Sequence, residues 1–342
     1  MIVSLTEQDR VDLDVLGALY ATPSPLTPYQ LARHVPHGAS AVHASLRRLR
    51  AAGCVFDEHP QQGVRLVEAG LGVWRMHLSH ALHLPQRAVH VYRQTSSTQD
   101  RARENLKQWR GSGTHLVVAD EQAAGRGRLG RRWHAPPGAS VLLTVTVPLL
   151  SERTRGIEPI TAYTAVALLE AIESVTGIEP GLKWPNDAVL AGRKLAGILV
   201  ERFDSPHGSF ALIGIGVNVN RPAAPASAGR HLVSPPGADN PQEVPLDIAW
   251  LGDTAGRRVD RLPVLTEIVR RVLRWTRHPD RDAALARWRR SCTTLGEHRR
   301  FRCNGREVVG DVLDVDLDAG LILRRDTGEL LHLPAAVTTA VL

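Results

Sequence analysis

The sequence predicts a multidomain α+β chain: a small helical unit ending in a β-hairpin, a central mixed α/β unit built on a β-sheet, and a short all-β barrel at the C-terminus. Three observations carry this. A length of 342 residues exceeds what one core usually organises, so two or three domains are expected. Helical periodicity dominates up to Pro85 and then gives way to interleaved strands and helices. From Arg299 onward, short alternating apolar runs are separated by Asn304-Gly305, Asp318-Ala319-Gly320 and Thr327-Gly328, the punctuation of a small barrel. The expected boundaries are 1–84, 85–294 and 295–342.

In the first unit, Thr6 and Asp9 form an N-cap pair, and Val11, Val15, Leu16 and Leu19 then share one helical face that ends before Pro23. Thr27 and Pro28 open a short second helix with Leu31 and Val35 inward, and Pro36-His37-Gly38 turns the chain. Ser40 is expected to cap a third helix with Val42, Leu46 and Leu49 inward, ending at Gly53. Strands at 54–56 and 64–67 follow, joined by a polar loop with Pro60 and Gly63. This is the order of a winged helix-turn-helix, with a small helical protein-binding domain as the alternative. If residues 27–52 read DNA, then Ser40, His43, Ala44 and Arg47 are the side chains placed for the major groove.

A helix near 70–83 leads to the central unit, with strands expected at 88–95, 115–120, 140–147, 188–191, 196–203 and 210–219 and helices at 98–110 and 158–176. Residues 222–246, rich in Pro, Ala and Gly, read as a long loop.

Composition narrows the function classes. Hydrophobic residues at 43% and charged residues at 23% exclude wholesale disorder and low-complexity architectures. The net charge of +7 lies entirely in the middle: residues 1–84 hold seven basic and seven acidic side chains, and 295–342 hold six against eight. A basic middle suits a ligand rich in anionic groups, such as a nucleotide phosphate, better than polycationic nucleic-acid binding. Cys54, Cys292 and Cys303 form no C-x-x-C pair, so neither a disulfide framework nor a structural zinc site is expected. A reducing cytoplasm fits this usage, and no membrane span or cleavable leader is expected.

The densest chemical signal is Gly125-Arg126-Gly127-Arg128-Leu129-Gly130-Arg131-Arg132-Trp133, between two expected strands. Glycines let backbone amides approach a ligand and guanidinium forks match phosphate oxygens, so a mobile loop closing over an anion is expected. A basic solvent loop is the alternative. The second cluster, Lys183-Trp184-Pro185-Asn186-Asp187, leads into Gly192-Arg193-Lys194-Leu195-Ala196-Gly197. Only Lys107, Lys183 and Lys194 are lysines among 42 cationic residues, and two of them fall here. Arginine replaces lysine well for solubility but poorly where a compact ammonium meets developing negative charge, so Lys183 is read as chemical. Asn186 and Asp187 suit a Mg²⁺ ion, the orientation of an incoming amine, or an Asx turn after Pro185. Ser96-Ser97-Thr98-Gln99 stands between a strand and a helix, where hydroxyls cap the helix, the commoner role, or bind a polar small molecule. Gly214-Ile215-Gly216-Val217-Asn218-Val219-Asn220 is a strand whose glycines admit close backbone approach.

In this order and at this spacing, GRGRLGRRW, KWPND, GRKLAGILVE and GIGVNVN closely resemble the motifs of biotin protein ligases. The N-terminal helices and the C-terminal barrel extend the resemblance to the bifunctional members that also repress the biotin operon. The resemblance implies a central ligase domain and an SH3-like C-terminal barrel. It also implies a two-step reaction: biotin and ATP, with Mg²⁺, give biotinyl-adenylate, and a lysine of the biotin carboxyl carrier protein then takes the biotinyl group. Lys183 and Arg126 are the implied catalytic residues. Ser97, Thr98, Gln99, Gln122, Arg126, Gly127, Arg128 and Lys183 are implied for biotin, and Arg128, Arg131, Trp133, Asn186, Lys194 and Asn218 for ATP and the adenylate. Operator DNA as a partner and a ligand-promoted homodimer complete the implication, while the metal position stays open, with Asp187 as a candidate. Two departures stand out. Leu129 places an apolar side chain inside the basic loop, and the 222–246 segment offers Leu232 and Val233 where aromatic packing is the family expectation. A lipoate-protein ligase of the same fold and a biotin-sensing regulator without ligase activity are the alternatives.

Overall fold

The computed structural model describes residues 5–109, 113–149, 157–222 and 247–340. The loop expected at 222–246, with Leu232 and Val233, therefore lies outside the described residues except for Pro222.

Helix α1 (Glu7–Ala21) starts as expected: Thr6 Oγ1 accepts from the Asp9 N–H at 3.1 Å, and the Asp9 carboxylate accepts from the Thr6 N–H at 2.9 Å. Helix α2 (Pro28–Leu31) is capped in the same way by Thr27 with Gln30. Helix α3 (Ala39–Ala51) departs from the expectation. Its N-cap is Gly38, whose extended backbone completes the Pro36-His37 turn, and Ser40 lies inside the first turn with no capping bond. Ser40, His43 and Arg47 are exposed on this helix, while Ala44 is half-buried. Strands β1 (Val55–His59) and β2 (Gly63–Glu68) form an antiparallel hairpin, and Leu26 pairs with Val64 through two 2.9 Å backbone bonds, adding a third extended segment. Leu16, Leu31, Leu46 and Leu49 pack with Trp74 of helix α4 (Leu71–Ala81) as the core of this part.

The centre is a seven-stranded mixed sheet. Strand β3 (Val89–Thr95) runs parallel to β4 (His115–Gln122). The antiparallel remainder comprises β5 (Ser140–Pro148), β6 (Gly181–Lys183), β7 (Asp187–Leu190), β8 (Arg193–Ser205) and β9 (Gly208–Asn218), in the order β3-β4-β5-β9-β8-β7-β6. Helix α5 (Thr98–Gln108) buries Ala102 and Leu106 against Val117, Phe210 and Leu212 on one face. The other face carries α6 (Glu158–Thr176) and, after the short α7 (Leu251–Ala255), helix α8 (Arg261–Arg277), followed by α9 (Arg281–Ser291). Cover on both faces leaves β5 buried from Ser140 to Val147, apolar except for Ser140, Thr144 and Thr146. Helices α8 and α9 were not anticipated, although Asp260 caps α8 and Leu262, Leu265, Val269 and Val272 repeat at helical spacing.

The C-terminal part is a five-stranded antiparallel sheet of β10 (His298–Cys303), β11 (Arg306–Asp316), β12 (Gly320–Arg324), β13 (Leu330–Leu333) and β14 (Thr338–Ala340), ordered β13-β12-β11-β10-β14. Asn304 and Gly305 have φ of 48° and 77°, the left-handed pair that a tight two-residue hairpin requires.

One knot joins the N-terminal helices to the central sheet. Arg261 donates to Glu68 Oε1 at 2.9 Å and to Asp120 Oδ1 at 2.6 Å, with the Arg261 side chain only 8% exposed. Beside it, the Asp260 carboxylate accepts from the Tyr20 hydroxyl at 2.8 Å and the Ala69 N–H at 3.0 Å, and burial raises its pKa. Among the described residues, no helix is long and apolar enough to cross a membrane.

Candidate active site

A cavity of about 440 Å³ opens where the start of α5, the 125–133 loop, the turn after β6 and the paired strands β8 and β9 converge. It gathers every residue singled out from the central motifs: Ser97, Thr98, Gln99, Gln122, Arg126, Gly127, Arg128, Arg131, Trp133, Lys183, Asn186, Asp187, Lys194 and Asn218. Leu143, Ile198, Ile215 and Ile248 supply apolar wall. A slot that is apolar along its length, with polar groups at defined points, suits a small ligand with an aliphatic portion.

At one end the start of α5 is tightly organised. Ser97 is the N-cap, its Oγ accepting from the Gln99 N–H at 3.2 Å. Thr98 donates to Gln122 Oε1 through its N–H at 2.8 Å and its hydroxyl at 3.2 Å, and accepts from the Thr144 hydroxyl at 2.9 Å. Gln99 donates to the Leu199 carbonyl at 3.0 Å, while its buried Oε1 has no hydrogen-bond partner among the described residues. Gly214 makes that position possible, since a Cβ there would stand 2.8 Å from Gln99 Nε2.

The glycine-rich loop is a small hairpin. The Trp133 N–H donates to the Gly125 carbonyl at 2.9 Å and the Gly127 N–H to the Arg131 carbonyl at 2.7 Å. Protein acceptors already relieve part of the mutual repulsion among the loop's arginines. Arg126 pairs with Asp100; Arg128 donates to Asn186 Oδ1 at 3.1 Å, to the Thr338 carbonyl at 3.2 Å and to the Ala335 carbonyl. Burial lowers the Arg128 pKa, an effect that Asp187 opposes. Leu129 is 46% exposed, with φ of 55°. Trp133 lies on Gly197 and Gly216, which face each other across β8 and β9; a Cβ on Gly216 would come within 2.5 Å of the indole.

The two lysines differ. Lys194 Nζ is 2.7 Å from Asp187 Oδ1 and 5.5 Å from the centre of a Trp133 ring. Lys183 has no carboxylate partner among the described residues. Asn186 is held on both sides, accepting from Arg128 and donating to the Ile198 carbonyl at 2.6 Å, which makes it a brace of the turn. Asn218 donates to the Lys194 carbonyl at 3.3 Å. Asp187 is the one carboxylate among the described residues lining the cavity, and it is committed to Lys194. Among the described residues, no three acidic, His or Cys side chains converge on a point. One carboxylate already paired with Lys194 does not make a dedicated Mg²⁺ cage.

Sequence reasoning missed the wall supplied from the C-terminal sheet, namely Arg302, Thr339 and Ala340. It also missed Ile248, which follows Asp247 where that residue's carbonyl accepts from the Lys194 N–H at 2.9 Å. No local motif marks these positions, because only the folded chain brings them to the cavity.

The Biotin/lipoate A/B protein ligase family model matches residues 91–220. The chain is 34% identical over 234 residues to a biotin–acetyl-CoA-carboxylase ligase of Paracoccus denitrificans, covering 66% of this chain and 90% of that protein. It is 30% identical over 216 residues to the Mycobacterium tuberculosis enzyme of the same name, covering 61% and 72%. The chain belongs to this ligase family. With the bifunctional ligase/repressor BirA of Bacillus subtilis it shares 29% identity over 300 residues, 84% of this chain and 86% of that one. The biotin protein ligase of Aquifex aeolicus, solved with biotin and ATP, superposes with a TM-score of 0.56 at 23% identity over 74% of this chain and 98% of that one, a likeness of fold.

Proposed function

We propose that the chain is a biotin protein ligase in which Lys183 brings the biotin carboxylate and the α-phosphate of ATP together. The observation that carries this is an ammonium without a carboxylate partner, in a cavity whose other lysine is neutralised. Two anions must meet for a carboxylate to attack phosphorus, and fixed positive charge is what that step lacks in water. A carboxylate oxygen bonds to the α-phosphorus as the bond to the β-phosphate bridging oxygen breaks, and pyrophosphate leaves. An acceptor lysine amine then attacks the acyl carbon, AMP departs, and the amine loses a proton.

In this reading the ring end of biotin is held by Ser97, Thr98, Gln99 and Gln122, with Arg126, Gly127 and Arg128 closing over it. Trp133, Lys194, Asn218 and Arg131 bound the nucleotide, and Asn186 supports Arg128. Magnesium enters with the substrate as MgATP. The acceptor is the carrier protein of a biotin-dependent carboxylase. Incubating the protein with ATP, Mg²⁺, a carrier domain and either biotin or lipoate tests the reading by mass spectrometry of the carrier. Biotinylation at one lysine supports it, and lipoylation without biotinylation overturns it.

The proposal extends to regulation. Residues 1–84 are read as a winged helix-turn-helix, 85–294 as the catalytic domain and 295–342 as an SH3-like barrel. The Leu26–Val64 pairing and the exposed Ser40, His43 and Arg47, flanked by Ala44, support a DNA-reading helix. Neutral charge in this unit predicts weak binding by one copy and useful binding by a cytoplasmic homodimer on a two-fold site. Gel shifts on DNA upstream of biotin synthesis or uptake genes test this, with binding strengthened by biotin plus ATP as the expected result. Binding indifferent to both removes the repressor role.

A further inference from the structure

We propose that Arg302, carried by the C-terminal sheet, binds the β- and γ-phosphates of the nucleotide and holds pyrophosphate as it leaves. The proposal rests on the ligase reading and adds a residue that none of the central motifs contains.

The C-terminal sheet is a fixed wall of the cavity. Arg302 on β10 lies in register with Thr339 on β14, and both line the cavity together with Ala340. Arg128 fastens this wall to the glycine-rich loop by donating to the carbonyls of Ala335 and Thr338. A side chain on β10 therefore keeps a defined relation to the loop.

The charges around the cavity leave a task unfilled. A triphosphate brings several negative charges, most of them on the departing pyrophosphate. Lys194 is matched by Asp187, Arg126 by Asp100, and Arg128 is spent on carbonyls and Asn186. Lys183 is engaged at the reacting carboxylate and α-phosphorus. The loop side still offers Arg131 and Arg132, and the facing wall offers Arg302. Arg302 is 57% exposed, and its carboxylate partner is Glu307 at 3.6 Å, beyond hydrogen-bonding range and shared with Arg300 at 3.5 Å. Such an exposed pair contributes little, so the guanidinium is released at small cost to form bidentate bonds with phosphate oxygens. An acidic patch on the carrier protein is the other anion that an exposed arginine at this mouth would meet, and the two occupants act at different steps.

The test compares wild type, Arg302→Gln and Arg302→Lys in two half-reactions: biotin-dependent ATP–pyrophosphate exchange, and transfer of biotin from preformed biotinyl-adenylate to a carrier domain. Arg302→Gln is expected to raise the KM for ATP about tenfold, the loss of roughly one charge-assisted contact. The KM for biotin and the transfer rate stay unchanged, and Arg302→Lys recovers part of the loss as a point charge. An unaltered KM for ATP overturns the proposal, and so does a loss confined to the transfer step, which assigns Arg302 to the carrier. Absence of exchange in wild type overturns the ligase reading and this proposal with it, and is distinguished by needing no variant.

Discussion

Lys194 Nζ and Asp187 Oδ1 stand 2.7 Å apart between neighbouring strands β7 and β8, which sets apart the roles of the two cavity lysines. The pair shields Lys194 and leaves Lys183 as the cavity lysine with no carboxylate partner among the described residues, the feature on which its proposed role rests.

Replacing Lys183 with arginine keeps the charge and changes its shape, since a planar fork cannot occupy the place of a compact ammonium. Adenylation is expected to fall by about a hundredfold or more, comparable to losing a preorganised electrostatic donor. Single-turnover formation of biotinyl-adenylate measures this directly, and near-normal rates would remove Lys183 from the chemistry.

Gly216→Ala tests the indole platform. The added methyl would approach Trp133 to about 2.5 Å, so the ring must leave its seat over Gly197 and Gly216. Overpacking of this kind costs about 1–3 kcal/mol. The expected outcome is a smaller rise in thermal midpoint on adding biotin and ATP, with little change in the ligand-free fold.

The capped N-terminal helices, the strands flanking the basic loop and the cavity residues of the central motifs were legible in the sequence because local signals specify them. Thr6 with Asp9 and Thr27 with Gln30 are reciprocal caps that act over three residues. Ser40 misled because a hydroxyl near a helix start resembles a cap, whereas the turn through Pro36 had already placed Gly38 there. Helix α8 was overlooked beside the dense chemical motifs, although its Asp260 cap and apolar spacing were available. Arg302 was not legible, because its approach to the cavity depends on how the C-terminal sheet docks through Arg128.

Acid sensitivity follows from His115, 1% exposed, with neither ring nitrogen hydrogen-bonded to a described residue. Burial, aided by neighbouring His90, lowers its pKa from 6.5 to about 4. Between these values the unfolded chain binds a proton that the folded chain does not. Stability is therefore full above pH 6.5, falls as pH drops toward 4, and levels off below, a loss on the order of 3 kcal/mol. His77, lowered to about 4 chiefly by burial, acts in the same direction. Urea midpoints at pH 7 and pH 5 check the sign, and His115→Phe should flatten the difference.

Arg261 bridges Glu68 and Asp120, two carboxylates from different parts of the chain. Arg261→Met leaves the half-buried Asp120 without this partner while Glu68 keeps Arg258, with an expected loss of about 1–3 kcal/mol. The double replacement Arg261→Met, Asp120→Asn should recover much of that loss, because it removes the uncompensated charge and leaves Glu68 with Arg258. Urea unfolding of the two variants decides the point, and equal stability would mean that the bridge contributes only packing.

The ligase assignment is tested most directly by incorporation of labelled pyrophosphate into ATP, run with biotin, with lipoate and with neither. The expected result is exchange that requires biotin and falls about a hundredfold or more in Lys183→Arg. Exchange supported by lipoate but not biotin, or none with either, would contradict the assignment.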